Sequence, residues 1–388
     1  MDYCCCMSFA AAYMQSVGYT NTGLGIILAC GNALGSLTGP LLTSMVSRGK
    51  ARSITVAYMA LAIQLVCYFT MFALNRVCLL FSVAFVIQIA FCYTVNNIDL
   101  DIYAECINRG IRIDYGVARG CGSFAFVCMS LLVGPMLNRF SSRILPVIGT
   151  AIVFCSCAMH CSFARSLRSL DAGGPETPAA VKKHDALPIG GFLAQNRLFA
   201  FILLSIIITC TGYRVCLSFL VNIVYNAGGD LNYYSVIVSI GALSEIPFMI
   251  FYSRLFGKTR PFIPLIAAIG FFVVKQLVLA AASGKALILV AALLQGPSYA
   301  LYSSAIVPFT TGAVSSEDAP LAQSLAFTTT TISYFLSGVC GGLLFDHLPV
   351  RTAVVVCAGL CIAGTAIAIP SILILEGRKK SVRRFPSE

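Results

Sequence analysis

Tryptophan is absent from this 388-residue chain, histidine occurs three times, and charged residues make up only 11% of it. Soluble domains carry about a quarter charged residues. That scarcity excludes a soluble catalytic or DNA-binding domain anywhere along the chain. His160, His184 and His347 are far apart, and no histidine stands at zinc-site spacing from cysteine. No GxxxxGK[ST] loop exists to drive an ATP-powered pump. No nucleophile–base constellation points to an enzyme. Met1 to Val17 lacks a positive n-region and a small-residue cleavage site, so no signal peptide is expected. The first hydrophobic run is short, which leaves the completeness of the amino terminus open.

What is present is apolar surface. Hydrophobic residues make up 58% and the mean hydropathy is +0.88. Runs of about 20 apolar residues, each able to cross a hydrocarbon core of roughly 30 Å, recur along the whole length. The chain therefore reads as an all-α polytopic membrane protein. Most of its 18 cysteines, such as Cys4, Cys5, Cys6, Cys155, Cys157 and Cys357, sit inside those runs. They read as small buried hydrophobes rather than metal ligands or disulfides.

Twelve spans are predicted, at 2–17, 23–46, 54–74, 78–102, 116–137, 144–162, 198–224, 232–253, 261–281, 286–312, 321–344 and 351–374. They divide six and six around one long polar segment containing LDAGGPETPAAVKKHDALP. This gives an amino-terminal bundle (1–164), a flexible linker (165–197), a carboxy-terminal bundle (198–375) and a basic tail (376–388). With both termini and the linker cytoplasmic, nineteen Lys and Arg lie inside and five outside: Arg76, Arg139, Arg143, Lys285 and Arg351. That asymmetry sets the orientation. It also accounts for the net charge of +11 as basic loops facing anionic headgroups, with no nucleic-acid partner. The expected setting is the cytoplasmic (plasma) membrane, with a functional monomer.

Six-plus-six helices joined by a cytoplasmic linker resemble the plan of the major facilitator superfamily, whose halves rock about a central site. SRGKAR (Ser47 to Arg52) and SRLFGKTR (Ser253 to Arg260), each after the second span of its half, resemble that family's basic loop. Ser47 replaces the usual Asp. In the second span, Gly31, Gly35 and Gly39 recur every four residues on one face, where another helix can approach closely.

Ionisable residues deep in a span are costly and are functional candidates by default. The stretch DIYAECINRGIRIDYGVARG, from Asp101 to Gly120, contains six charges in twenty residues. Arg109, Arg112 and Asp114 belong to a solvated loop. Asp101 and Glu105 share a helix face, and Arg119 opens the next helix. A carboxylate accepts sugar hydroxyls while a guanidinium donates to two neighbouring ones. Phe126, two turns beyond Arg119, offers an apolar platform to a ring, and Asn97 precedes the acids.

Asp101, Glu105, Arg109, Asp114, Tyr115, Gly116, Ala118, Arg119 and Gly122 together resemble the lactose permease branch, the oligosaccharide:proton symporters. The resemblance implies sugar contacts at Asp101 and Arg119, and stacking where Phe126 stands in place of the family's Trp. YGVARGCGSF is similar too to related permeases, including phenylpropionate and nucleoside carriers. The second half departs from the pattern. Lys275 stands for an Arg, Gln295 for a His and Ser298 for a Glu, and no Lys occurs near Thr330. Tyr213 matches, but the following Asp is Arg214.

Glu245 is the only carboxylate deep in the second half, with Arg214 and Lys275 as candidate partners. A carboxylate alternating between protonated and ion-paired states suits proton coupling; a fixed Glu245–Arg214 pair locking spans seven and eight is the alternative. The expected function is import of a small sugar or oligosaccharide by proton symport, with no cofactor beyond the proton. Asp101, Arg119, Phe126, Asn97, Glu105 and Gln295 would bind solute. Glu245, Arg214, Lys275 and Tyr213 would couple or gate. The alternatives are a nucleoside or aromatic-acid permease, an uncoupled facilitator and a non-transporting membrane sensor.

Overall fold

The computed structural model describes residues 1–47, 52–108, 115–140, 143–170, 189–315 and 317–384. Regular structure among the described residues is entirely helical. This is the form expected of a backbone in lipid, where every N–H and C=O must be satisfied within its own segment.

The chain divides into two compact units, Met1–Lys183 and His184–Glu388. The first opens with a π-helical turn, Cys4–Ser8, followed by α1 (Ala10–Val17). Gly18 closes α1 at a φ of 107°, in the left-handed region that glycine tolerates, and its N–H donates to the Met14 and Gln15 carbonyls. Then come α2 (Asn21–Ser47), α3 (Ser53–Leu74), α4 (Leu79–Asn108), α5 (Tyr115–Arg139) and α6 (Ile144–Leu170). The second unit contains α7 (Ile189–Gln195), α8 (Arg197–Ser218), α9 (Leu220–Asn226), α10 (Leu231–Phe256), α11 (Phe262–Ala280) and α12 (Lys285–Leu293). A π-helical turn at Gly296–Ala300 leads into α13 (Leu301–Ala313), and α14 (Ala319–His347) and α15 (Val350–Arg384) complete it.

Among the described residues, ten helical stretches are long and apolar enough to cross a membrane. The first and eleventh of the twelve expected spans differ from those ten. The first is broken between the π-helical turn and α1. The eleventh, α14, has 29 residues but is diluted by Thr328, Thr329, Thr330, Thr331 and Ser333. The expected linker is helical at both ends: α6 runs to Leu170, and α7 packs the buried Phe192 edge-on to Phe199, with ring centroids 6.0 Å apart. The backbone is likewise helical through Arg384, well into the expected tail. Large apolar side chains face outward, Leu79 being 80% and Phe69 72% exposed, as a lipid-facing surface requires.

In the first unit α2 lies along α4 on the glycine face. A methyl group added at Gly31 would come within 2.8 Å of Ile89, and at Gly35 within 2.9 Å of Tyr93. At Gly39 it would overlap the Asn97 amide. In the second unit α8 is enclosed by α14 and α15. Gly212 lets it approach the α15 backbone so closely that a Cβ there would stand 2.5 Å from the Cys357 carbonyl oxygen.

Candidate functional site

The second unit contains a buried polar network in its core, assembled from α8, α10, α11 and the residue before the second π-helical turn. Its centre is Gln295, 7% exposed. The Lys275 ammonium of α11 donates to Gln295 Oε1. Gln295 Nε2 donates to the Tyr213 hydroxyl at 2.6 Å and to Glu245 Oε1 at 2.9 Å. These partners fix the amide's orientation, because an ammonium can only donate and a carboxylate can only accept. A reversed amide would oppose NH₂ to NH₃⁺ and oxygen to oxygen.

Local sequence explains why α10 and Gln295 meet. Gly296 has no side chain, and its N–H donates to Ser244 Oγ at 3.0 Å. A Cβ on Gly296 would collide with the Ser244 carbonyl. Pro297 has no N–H to give to the helix, and the chain widens into a π turn there, a device frequent at functional sites. Ser244 is thus held against Gly296, and its neighbour Glu245 against Gln295.

Aromatic rings wall the network. Tyr213 lies 4.7 Å from Phe272 and stacks at 6.1 Å and 16° on Tyr299, while Lys275 Nζ lies 5.0 Å from the Tyr213 centroid. Tyr213 and Lys275 are buried, whereas Glu245 and Tyr299 are half-buried. The accessible members are therefore a carboxylate and a ring, backed by a buried cation, amide and phenol.

Arg214 takes a different position from the one expected. Its guanidinium lies over the Tyr334 ring, 3.4 Å from the centroid, and it is 2% exposed. It stacks on α14 as a cation–π contact, while the bond from Glu245 leads through Gln295 to Lys275 and Tyr213. Adjacent positions on a helix point about 100° apart, so Tyr213 and Arg214 serve different neighbours.

In the first unit the side chains of Asp101, Glu105 and Arg119 lie outside the described residues, as does the loop with Arg109, Arg112 and Asp114. Phe126 is half-buried against Tyr3, with centroids 6.4 Å apart, and Tyr3 in turn meets Tyr93 edge-on at 6.4 Å. Asn97 is wedged against Gly39. Two features here were not anticipated from the sequence. Asp99 Oδ1 lies 3.0 Å from His160 Nε2, linking α4 and α6 across 61 residues, while His160 Nδ1 lies 2.8 Å from the Ser156 carbonyl oxygen. Asp2 is enclosed by Cys6, Tyr68 and Gln88. An acid in the first hydrophobic run was the available signal for the second of these.

A family model described as MFS_1 like matches residues 3–354. The chain belongs to the MFS_1 like family. Its members are transporters, so this multi-pass membrane protein is a transporter and not an enzyme. No curated protein sequence matches it. Among solved structures, the nucleoside transporter NupG aligns with a TM-score of 0.75 at 16% identity, covering 95% of this chain and 96% of that one. A point mutant of NupG gives a TM-score of 0.78 at the same identity and coverage. At that identity the likeness extends to the fold alone.

Proposed function

We propose that the chain moves a small polar solute bearing a planar ring, of the nucleoside class, across the membrane by alternating access. The observation that carries this reading is the pairing of a half-buried carboxylate, Glu245, with a half-buried ring, Tyr299, before the buried Gln295–Tyr213–Lys275 backing. A nucleobase has donors and acceptors on its edge and a stacking face, and a ribose has hydroxyls for a carboxylate to accept. The fold likeness to a nucleoside transporter supports the same class. In this reading Glu245 is also the proton carrier, with Lys275 acting on it through Gln295; Arg214 is a packing cation. Both termini face the cytoplasm, on the strength of the basic loops.

A sugar is the second reading, favoured by the resemblance of Asp101 and Arg119 to a sugar-binding pair. One experiment separates the two and tests coupling. Proteoliposomes in light buffer receive nucleosides, disaccharides, monosaccharides or aromatic acids, and external pH is followed. Alkalinisation with a nucleoside, lost in Glu245→Gln, is the expected result. Alkalinisation with a sugar alone overturns the nucleoside class. Counterflow of a solute without any pH change removes the proton role of Glu245.

A further inference from the structure

We propose that the first unit carries a binding site for one soft divalent cation of the Zn²⁺ class, formed by Asp2, Cys6 and Cys92. A carboxylate oxygen and two Sγ atoms, one from each residue, all lie within 4.8 Å of one another. The ligands come from positions 2, 6 and 92, a spacing that no linear motif announces. Around tetrahedral zinc, with Zn–S of about 2.3 Å and Zn–O of about 2.1 Å, neighbouring ligand atoms stand roughly 3.6–3.8 Å apart. The three side chains therefore need to close by about an ångström or less.

The donor set selects the ion. Two thiolates favour Zn²⁺ and its heavier congeners over Mg²⁺ or Ca²⁺, which prefer oxygen alone. Binding releases two thiol protons as two sulfur–metal bonds form. The site then has one net negative charge, from two thiolates, one carboxylate and one divalent ion. Polar groups surround it. The Tyr68 hydroxyl donates to Asp2 Oδ1 and lies 3.0 Å from Cys6 Sγ. Gln88 Nε2 lies 3.4 Å from Asp2 Oδ2 and 3.5 Å from Cys6 Sγ. Such partners orient ligands and tune affinity.

Gln88 supplies an independent observation. It is 1% exposed, and its Oε1 is buried without a hydrogen-bond partner. A half-turn of the amide exchanges the two long Nε2 contacts for that oxygen on the Asp2–Cys6 side, so Gln88 serves as an outer partner before the ion enters and as its fourth ligand afterwards. Cys6 and Cys92 are buried while Asp2 is half-buried, so the ion enters past Asp2. Once bound, it fastens the first π-helical turn to α4.

The test uses the purified full chain in detergent with Cd²⁺ as the probe, read by thiolate-to-metal absorption and by protons released. One tight equivalent and two protons are expected. Cys6→Ala and Cys92→Ala should each abolish that equivalent. Cys30→Ala, at an exposed thiol of α2, should leave it unchanged. Tyr68→Phe should weaken it about 10–100-fold, the usual effect of losing an outer partner. If either alanine variant fails to fold, Asp2→Asn takes its place, with the same loss expected. Cd²⁺ absorption that persists equally in Cys6→Ala, Cys92→Ala and Asp2→Asn, or none in the wild type, overturns the proposal and leaves a plain hydrogen-bonded cluster.

Discussion

Replacing Gln295 by leucine conserves much of its volume and deletes three hydrogen bonds at once, to Lys275, Tyr213 and Glu245. Side-chain bonds between membrane helices average about 0.6 kcal/mol and reach about 1.7 kcal/mol. Three of them give about 2–5 kcal/mol. Two of the three involve a charged partner, and Lys275 is only 7% exposed, so the expected loss is in the upper half of that range. The diagnostic feature is the double variant. Gln295→Leu with Lys275→Met removes the stranded cation along with its acceptor, so its loss should fall short of the summed single losses by about 1–3 kcal/mol. With no Trp available, unfolding in mixed micelles can be followed through the buried thiols Cys210, Cys216, Cys357 and Cys361 with a thiol-reactive dye. Wild-type stability in Gln295→Leu, or strict additivity in the double variant, would refute the network.

Three further outcomes follow from the packing. Gly35→Ala places a methyl group 2.9 Å from Tyr93 and 3.3 Å from the Ala90 Cα, and should destabilise the first unit by about 1–3 kcal/mol in the same unfolding assay. Arg214→Lys keeps the charge but loses the planar stack on Tyr334; it should cost about 1–2 kcal/mol, and none once Tyr334 is leucine, as a double-mutant cycle would reveal. Both ring nitrogens of His160 face acceptors, so the Asp99 contact needs an added proton, whereas an amide brings its own donor. Asp99→Asn should therefore keep the α4–α6 tie and Asp99→Leu break it, read as faster dye labelling of Cys157 only in the latter.

The helical architecture was legible because lipid imposes it: long apolar runs, and a backbone that must satisfy itself, leave little choice of fold. The glycine face of α2 was legible for a similar reason, since a four-residue repeat is a property of one helix. Which helix would meet it was not, because Ile89, Tyr93 and Asn97 are read only once α4 is in place. Charge spacing alone suggested Arg214 or Lys275 as the partner of Glu245. What bridges Glu245 and Lys275 is an uncharged residue, Gln295, which no search for ionisable groups would rank first. The Asp99–His160 and Asp2–Cys92 proximities span 61 and 90 positions and have no local signature.

Gln295 also constrains how the proposed coupling must work. An amide has no proton to relay at neutral pH, so a proton cannot pass from Glu245 to Lys275 through it. It can, however, serve both states of the carboxylate. Ionised Glu245 accepts from Nε2; protonated Glu245 still offers its carbonyl oxygen to the same N–H and gains a hydroxyl to donate elsewhere. The bond between α10 and Gln295 therefore survives protonation, and what changes is the charge facing Lys275 and the new hydroxyl on the half-buried side. The consequence is testable with Gln295→Glu. A second carboxylate at that position has no N–H to donate, repels ionised Glu245 and pairs directly with Lys275. Under the proposed coupling this variant should bind solute and exchange it in counterflow, yet fail to accumulate it against a gradient. Accumulation at the wild-type level in Gln295→Glu would show that the state of Glu245 is not what couples transport.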